Sequence, residues 1–164
     1  MKLKVVTIGV YGFTEEGFFA ALTEAGVDTF CDIRRRRGVR GSQYAFANSQ
    51  RLQARLAEMG IRYRHLQDLA PSQAVRARQE AADKASKTAK RQRTALSDTF
   101  IAAYEAEILS QFQPQSLLDA LPDNAQTIAL FCVEREPTAC HRSLVANKLA
   151  EAYQLEVAHL LPDV

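Results

Sequence analysis

Short apolar strands alternate with amphipathic helices along the chain, and this alternation limits the folds open to it. Val5–Gly9 is rich in β-branched residues, as is typical of a buried strand. Thr14 can cap a helix that ends at Gly26, and a second apolar run follows at Val27–Ile33. Because this strand–helix–strand unit is compact, its two strands should pair in parallel through a right-handed crossover.

The rest of the chain continues the pattern after a loop at Arg34–Ala47. We therefore predict an α/β fold: a single three-layer domain over residues 1–164, with a mainly parallel sheet and helices on both faces. Residues 72–94 form a basic segment within it, which is a solvated helix, a lid or partly disordered. Further strands are predicted at Ile61–Leu66, Thr127–Cys132 and Leu155–Leu160. Further helices are predicted from Asn48 or Ser49 to Gly60 and over Leu96–Phe112, Gln115–Leu121 and Cys140–Tyr153. Thr138 is predicted to cap the last of these helices.

Length and composition favour a single-core protein and argue against a membrane-spanning or secreted one. A chain of 164 residues with 47% apolar residues suits one hydrophobic core. Its apolar runs are too short to span a bilayer, and Glu15 and Glu16 interrupt the region where a signal peptide needs an apolar core. We therefore expect a cytoplasmic protein with no membrane partner. Cys31, Cys132 and Cys140 are an odd number of cysteines, which we expect to be reduced.

Charge is distributed unevenly along the chain. Residues 1–93 hold 18 of the 21 Lys and Arg but 9 of the 19 Asp and Glu, so residues 94–164 are acidic. This asymmetry favours an anionic partner for the basic part, either a phosphate-bearing ligand or nucleic acid. The alternative is that the two parts attract each other within the fold. No oligomeric state is predicted.

Three segments follow predicted strands directly: Gly9–Phe13, Asp32–Arg40 and Cys132–Arg142. Ligands of parallel sheets bind outside the carboxyl ends of the strands, so these segments should face one site. A thiol in the first turn of a helix feels the positive end of the helix dipole, and we expect the pKa of Cys140 to be lowered. The candidate catalytic residues are Cys140 and Cys132 as nucleophiles, Glu134 and Asp32 as acid or base, and His141.

Two other interpretations of Cys132–Arg142, here called the cysteine segment, remain open. Cys132, Cys140 and His141, together with Glu134, could bind zinc, although the adjacent Cys140 and His141 should not easily point at one metal. Alternatively, Cys132 is a small apolar residue that closes a strand. The sequence therefore assigns no metal ligand and predicts no cofactor, with zinc as the open alternative.

Five arginines occupy the seven positions from Arg34 to Arg40. Their guanidiniums repel one another unless anions or acids lie among them, and arginine binds phosphate bidentately. An anion site is predicted here; the alternative is a solvated loop in which Asp32 pairs with Arg34 or Arg142. The candidate binding residues are Arg34, Arg35 and Arg142 for the anion, Gly9 in a glycine turn, Tyr44 as a stacking ring and His65 at a strand end.

Four segments in order resemble the bacterial domain of unknown function 488 family: Thr7-Ile8-Gly9, Asp32-Ile33-Arg34, Gly60–Leu66, and Cys132-Val133-Glu134 through Cys140-His141-Arg142. The arginine-rich loop is similar to that of one subgroup. The resemblance implies a cytosolic three-layer α/β domain in which these segments face one pocket, and it implies no established activity or cofactor. Val10-Tyr11 stands where the family often has His-Ser, so no role of that histidine is carried over.

Taken together, the sequence predicts binding of a phosphate-bearing or nucleic-acid-derived anion at a Cys/His/Arg/Asp site and leaves open whether the protein is an enzyme. One alternative is a nucleic-acid-binding accessory module without catalysis, in which the basic stretch Arg76–Arg93 contacts the backbone. The other is a Cys/His metal-binding structural domain.

Overall fold

A five-stranded sheet forms the centre of the protein in the computed structural model, which describes residues 3–88 and 93–162. The strands are β1 (Lys4–Ile8), β2 (Thr29–Asp32), β3 (Arg62–His65), β4 (Thr127–Phe131) and β5 (Val157–Leu160). They lie in the order β3-β2-β4-β1-β5, and every neighbouring pair is parallel. The predicted α/β fold with a parallel sheet is confirmed.

Helices connect the strands on both faces of the sheet. From β1 the chain steps to β2 and β3 in one direction and then to β4 and β5 in the other. Right-handed crossovers therefore place the first two helices on one face and the later ones on the opposite face. The α-helices are α1 (Glu15–Glu24), α2 (Ser49–Glu58), α3 (Gln73–Ser86), α4 (Asp98–Tyr104), α5 (Pro114–Ala120) and α6 (His141–Tyr153), and short 3-10 turns span Ser42–Ala47, Gln67–Leu69 and Pro137–Ala139.

The core consists of the central strands and a cluster of aromatic rings. All four residues of β2 are buried, as are Val5–Ile8 of β1 and Ile128–Phe131 of β4. Phe18 of α1 lies in the centre of the aromatic cluster and has several rings around it, at centroid distances of 5.1 to 6.3 Å. Strands buried on both faces are typical of a parallel sheet covered by helices.

The predicted cap of the first helix is confirmed, and the predicted cap of the last helix is wrong. Thr14 caps α1 through its hydroxyl oxygen, which accepts a hydrogen bond from the Gly17 amide at 3.0 Å. The prediction that Thr138 caps α6 is wrong, because the residue before that helix is Cys140 and it makes no side-chain cap. The Thr138 hydroxyl instead donates to the Thr94 carbonyl at 2.6 Å, which ties this loop to the approach to α4.

The region between β3 and β4 differs from the prediction in its details. Instead of one helix over Leu96–Phe112, α4 passes into a π-helical turn at Glu105–Leu109. The basic segment contains α3, while Lys90 and Arg91 lie outside the described residues. Over residues 3–88 and 93–162, every helix is too short or too polar to cross a membrane.

Candidate metal centre

The three predicted segments meet at the carboxyl ends of β1, β2 and β4. The Val10 and Tyr11 amides both donate to the Val133 carbonyl, at 2.9 and 3.1 Å, and the Ile33 amide donates to the Phe131 carbonyl at 3.2 Å. The chain leaves β2 toward β3 and leaves β4 toward the opposite side of the sheet, so a topological switch point lies between these strands. Ligand sites of open parallel sheets occur at such points.

Gly9 allows the loop after β1 to lie directly against the loop after β4. A Cβ atom at Gly9 would stand 1.9 Å from the Glu134 carbonyl oxygen and 3.1 Å from the Arg142 guanidinium. No side chain fits in that space, so this position requires glycine. The close approach gives Gly9 a packing role at the edge of the cysteine segment.

Asp32 and Arg34 form a buried ion pair at the end of β2. Arg34 Nε and Nη2 donate to the two carboxylate oxygens of Asp32 at 2.9 and 2.8 Å, and Arg34 is 3% exposed. Arg34 Nη1 donates to the Ala47 carbonyl, and the guanidinium lies 4.6 Å from the centre of the Phe131 ring. Tyr63 donates to the same carboxylate at 2.6 Å. Arg34 is thus held by internal partners and fixes the start of the arginine-rich loop.

Arg142 is fully buried at the start of α6. Its Nη1 and Nη2 donate to the carbonyl oxygens of Glu134 and Arg135, at 2.6 and 3.1 Å. Its Nε finds no hydrogen-bond partner among the residues that the structure describes. The guanidinium therefore shapes the backbone of the loop after β4, a role that the charge pattern alone did not suggest.

Arg93 is a residue of this region that sequence reasoning missed, because it was one base within a long basic run. Its guanidinium donates to Glu134 Oε1 and Asp83 Oδ2, both at 2.8 Å, and to the Ala139 carbonyl at 3.1 Å. Glu134 is 5% exposed. Arg93 therefore links the end of α3 to the cysteine segment and neutralises a buried carboxylate there.

Cys132, Cys140 and His141 form a compact buried cluster. One ligand atom of each residue, two sulfurs and one ring nitrogen, lies within 4.8 Å of the other two. Cys140 has an extended backbone (φ −137°, ψ 149°), whereas His141 is the first residue of α6. This change of backbone lets two adjacent side chains turn to the same side, with Cys140 Sγ 3.7 Å from His141 Nδ1. The expectation that they should not easily point at one metal is therefore wrong.

The other ring nitrogen of His141 sets the protonation of the ring. Nε2 lies 2.9 Å from the Ile33 carbonyl oxygen, which can only accept a hydrogen bond. Nε2 therefore carries a proton, and in the neutral ring Nδ1 keeps a lone pair and lies 3.7 Å from Cys140 Sγ. Histidines that bind metals commonly donate their second N–H to a carbonyl in this way. The cluster could thus hold a metal ion through two thiolates and one imidazole.

Burial, and not the helix dipole, determines the direction of the pKa shift of Cys140. The pKa of the Cys140 thiol is raised to about 11, mainly by burial and further by the neighbouring Cys132. The prediction of a lowered pKa is wrong because Cys140 precedes α6 and is 1% exposed, so desolvation outweighs the dipole. For His141, burial lowers the pKa, but the adjacent Cys140 and the Ile33 carbonyl outweigh it and the net shift is upward.

Slow alkylation of Cys140 follows from this pKa. In metal-free folded protein at pH 8, a thiol with a pKa of about 11 is roughly 0.1% thiolate, against roughly a quarter for a free cysteine. We expect Cys140 to react with iodoacetamide at least about 100-fold more slowly than in the urea-unfolded chain. Site-resolved mass spectrometry measures both rates, with Cys31, whose pKa burial raises to about 12, as an internal control. Fast reaction of Cys140 near pH 7 would contradict this account.

Comparison with known protein families agrees with these segments. A family described as domain of unknown function DUF488 matches residues 14–149. The chain belongs to the DUF488 family. The match to DUF488 includes β2, β4 and the Cys132–Arg142 segment, and it begins after Gly9. Searches of curated proteins and of solved structures find no significant match.

The other predicted binding residues lie on the outside of the DUF488 core. His65 Nε2 donates to the Arg34 carbonyl at 2.8 Å, beside an open groove of about 600 Å³ that also contains Asp68 and Glu107. Arg35 is exposed, and Tyr44 is half-buried. The structure therefore separates the predicted residues into a buried cluster at the switch point and an outer set that includes Arg35, Tyr44 and His65.

Proposed function

We propose that the protein binds one zinc ion through Cys132, Cys140 and His141. The observation that carries this proposal is the mutual approach of two sulfurs and one imidazole nitrogen within 4.8 Å. Zinc binds cysteine sulfur at about 2.3 Å and histidine nitrogen at about 2.0–2.1 Å. Tetrahedral geometry then requires ligand atoms about 3.6–3.8 Å apart, and the Cys140 Sγ to His141 Nδ1 distance is 3.7 Å.

The charges around the cluster support a divalent ion bound by two thiolates. Asp32 is paired with Arg34, and Glu134 is paired with Arg93, so each carboxylate already has an arginine partner. One zinc ion with two thiolates adds no net charge to this buried region. A coordinating metal displaces the thiol protons, so the raised pKa of Cys140 in the metal-free protein lowers the zinc affinity at neutral pH without preventing binding.

Bound there, the ion would join three parts of the fold. Cys132 follows β4, Cys140 directly precedes α6, and His141 begins α6 and contacts the Ile33 carbonyl in the loop after β2. A metal that binds only the folded chain stabilises it by about 2.7 kcal/mol when free metal is 100 times the dissociation constant. The proposed role is to fix the carboxyl edge of the sheet.

An enzyme acting on a phosphate-bearing substrate through the same residues is the second candidate, with Cys140 or Cys132 as nucleophile and Glu134 or Asp32 as acid or base. It has less support. Arg34 already donates to Asp32, Arg142 donates to two carbonyls, and the thiols are buried. Both guanidiniums are buried and use most of their donors on internal partners, so neither can clamp an external anion as this candidate requires.

Zinc binding can be measured on the full chain after its metals are removed with a chelator. Equilibrium dialysis should give about one zinc per chain for the wild type. The Cys132→Ser, Cys140→Ser and His141→Gln variants should each bind at least about 100-fold more weakly, since losing an outer partner of a ligand alone costs roughly 10–100-fold.

Cys31→Ala is the matched control for these variants. Cys31 is as buried as the cluster cysteines but lies inside the sheet on β2. Zinc affinity should survive this change. If the wild type takes up no stoichiometric zinc, or if the three cluster variants bind like Cys31→Ala, the proposal fails.

A further inference from the structure

Part of the chain between β2 and the end of α2 is strongly cationic. Residues 33–57 contain seven arginines and no aspartate or glutamate. Arg34 is neutralised by Asp32, Arg51 pairs with Glu15 and Arg55 pairs with Glu58. The remaining four arginines, which include three exposed ones, belong to the loop itself: Arg35, Arg36, Arg37 and Arg40.

This loop has a fixed shape although its surface is charged. Buried Arg34 holds its two ends together by binding Asp32 and the Ala47 carbonyl. The Val39 amide donates to Asn48 Oδ1 at 2.7 Å, and the Ser49 amide donates to the Arg37 carbonyl at 2.9 Å. Because the loop backbone is already ordered by these contacts, it loses little conformational entropy when its exposed guanidiniums bind a ligand.

Two of the exposed guanidiniums lack an acidic partner. Arg35 and Arg36 make no ion pair or hydrogen bond with residues 3–88 or 93–162. Like charges held close together repel by roughly 1 kcal/mol per pair at 4 Å in water, and an approaching polyanion removes this cost. The loop is therefore suited to a ligand with several phosphates.

A pair of aromatic rings lies at the same edge of the sheet. Tyr11 follows β1, and its ring centre lies 5.3 Å from that of Tyr44, with the planes tilted by 58°. The Tyr44 hydroxyl accepts a hydrogen bond from the Gly12 amide at 3.1 Å. Both rings are half-buried, so each keeps part of its surface open to solvent. Bases of single-stranded nucleic acid stack on aromatic side chains.

We propose that single-stranded nucleic acid binds along this edge, with phosphates on Arg35 and Arg36 and a base stacked on Tyr44. Guanidiniums and an aromatic pair on loops at one edge of the sheet favour a strand with alternating phosphates and bases over a single small phosphate. A duplex keeps its bases stacked within the helix and makes no use of the rings. The proposal uses none of the proposed zinc ligands, so either can fail alone.

Salt-dependent binding tests the proposal. The probe is a fluorescein-labelled oligothymidylate of about 15 nucleotides, and its fluorescence anisotropy is followed with full-length protein at several salt concentrations. Each phosphate neutralised contributes about 0.7 to the slope of log affinity against log salt for single strands. The Arg35→Ala/Arg36→Ala variant should therefore have a slope shallower by about 1.4 and weaker binding.

Arg76→Ala/Arg78→Ala on α3 is the matched control, because it removes the same charge from the other basic surface. It should leave the slope unchanged. Tyr44→Leu should weaken binding roughly 10-fold without changing the slope, since stacking is not ionic. Thermal unfolding of each variant checks that the fold is retained.

Several results would overturn the proposal. They are no binding by the wild type at low salt, an unchanged slope of log affinity against log salt in the Arg35→Ala/Arg36→Ala variant, a shallower slope only in the α3 variant, or tighter binding of a duplex of equal length. A shallower slope in the Arg35→Ala/Arg36→Ala variant alone, together with tighter binding of the single strand than of the duplex, would support the proposal.

Discussion

Replacing Asp32 with asparagine should lower the free energy of unfolding by about 3–5 kcal/mol. Asp32 is fully buried and accepts hydrogen bonds from the amide, Nε and Nη2 of Arg34 and from the Tyr63 hydroxyl. Asparagine offers one acceptor oxygen and turns an amide group toward these donors. The buried guanidinium of Arg34 would then have no counter-charge, which is the costly case for a buried ion pair.

Chemical denaturation measures this effect, and two further variants sharpen it. Asp123→Asn makes the same chemical change at an exposed position and should alter stability by less than about 0.5 kcal/mol. The double variant Asp32→Asn/Arg34→Met removes both charges and should be less destabilised than the sum of the two single changes. Additive effects, or a cost below about 1 kcal/mol for Asp32→Asn, would contradict the buried ion pair.

Gly9→Ala should destabilise the protein by about 3 kcal/mol, at the upper end of the usual range for overpacking. The added methyl group would stand 1.9 Å from a backbone oxygen, that of Glu134. Backbone atoms of two packed loops cannot move aside as the end of a flexible side chain can. The loops after β1 and β4 must therefore separate, which also disturbs the hydrogen bond from Arg142 to the Glu134 carbonyl.

Gly38→Ala provides a matched control for this prediction. Its added methyl group would meet only Asn48 Oδ1, at 3.8 Å, which is an ordinary contact. Its effect should be near zero or slightly stabilising, because alanine restricts the unfolded chain. Equal melting temperatures for the Gly9 and Gly38 variants would show that the two loops are not in close contact.

The order of strands and helices could be predicted because it depends on local sequence periodicity. The run at Val5–Gly9, the cap at Thr14 and the glycine at Gly26 each specify their own segment. Since strands of one sheet share a carboxyl edge, the meeting of the loops after β1, β2 and β4 could also be predicted. The strand order depends on packing between distant segments, and local patterns did not determine it.

The partners of the charged residues could not be predicted in the same way. The chain holds 21 Lys and Arg and 19 Asp and Glu, so many pairings are compatible with the sequence. Arg142 pairs with carbonyl oxygens instead of acids, and Arg93 reaches Glu134 across 41 positions. Such contacts depend on where the backbone lies in three dimensions.

The closeness of Cys140 and His141 could not be predicted from the sequence, for a local geometric reason. Adjacent side chains diverge in a regular helix or strand, which argued against Cys140 and His141 sharing an ion. The helix begins between them, and the extended backbone of Cys140 brings its sulfur 3.7 Å from the ring nitrogen of His141. The predicted cap at Thr138 had placed Cys140 inside the helix, and this error also led to the expectation of a lowered thiol pKa.

X-ray absorption at the zinc edge identifies the atoms that bind the ion. The full chain, loaded with one equivalent of zinc, should give two sulfur atoms at about 2.3 Å and imidazole nitrogen at about 2.0–2.1 Å. Cys31→Ala should give the same spectrum, and Cys132→Ser should lose one sulfur. A wild-type shell of nitrogen and oxygen atoms alone would contradict a zinc site at Cys132, Cys140 and His141.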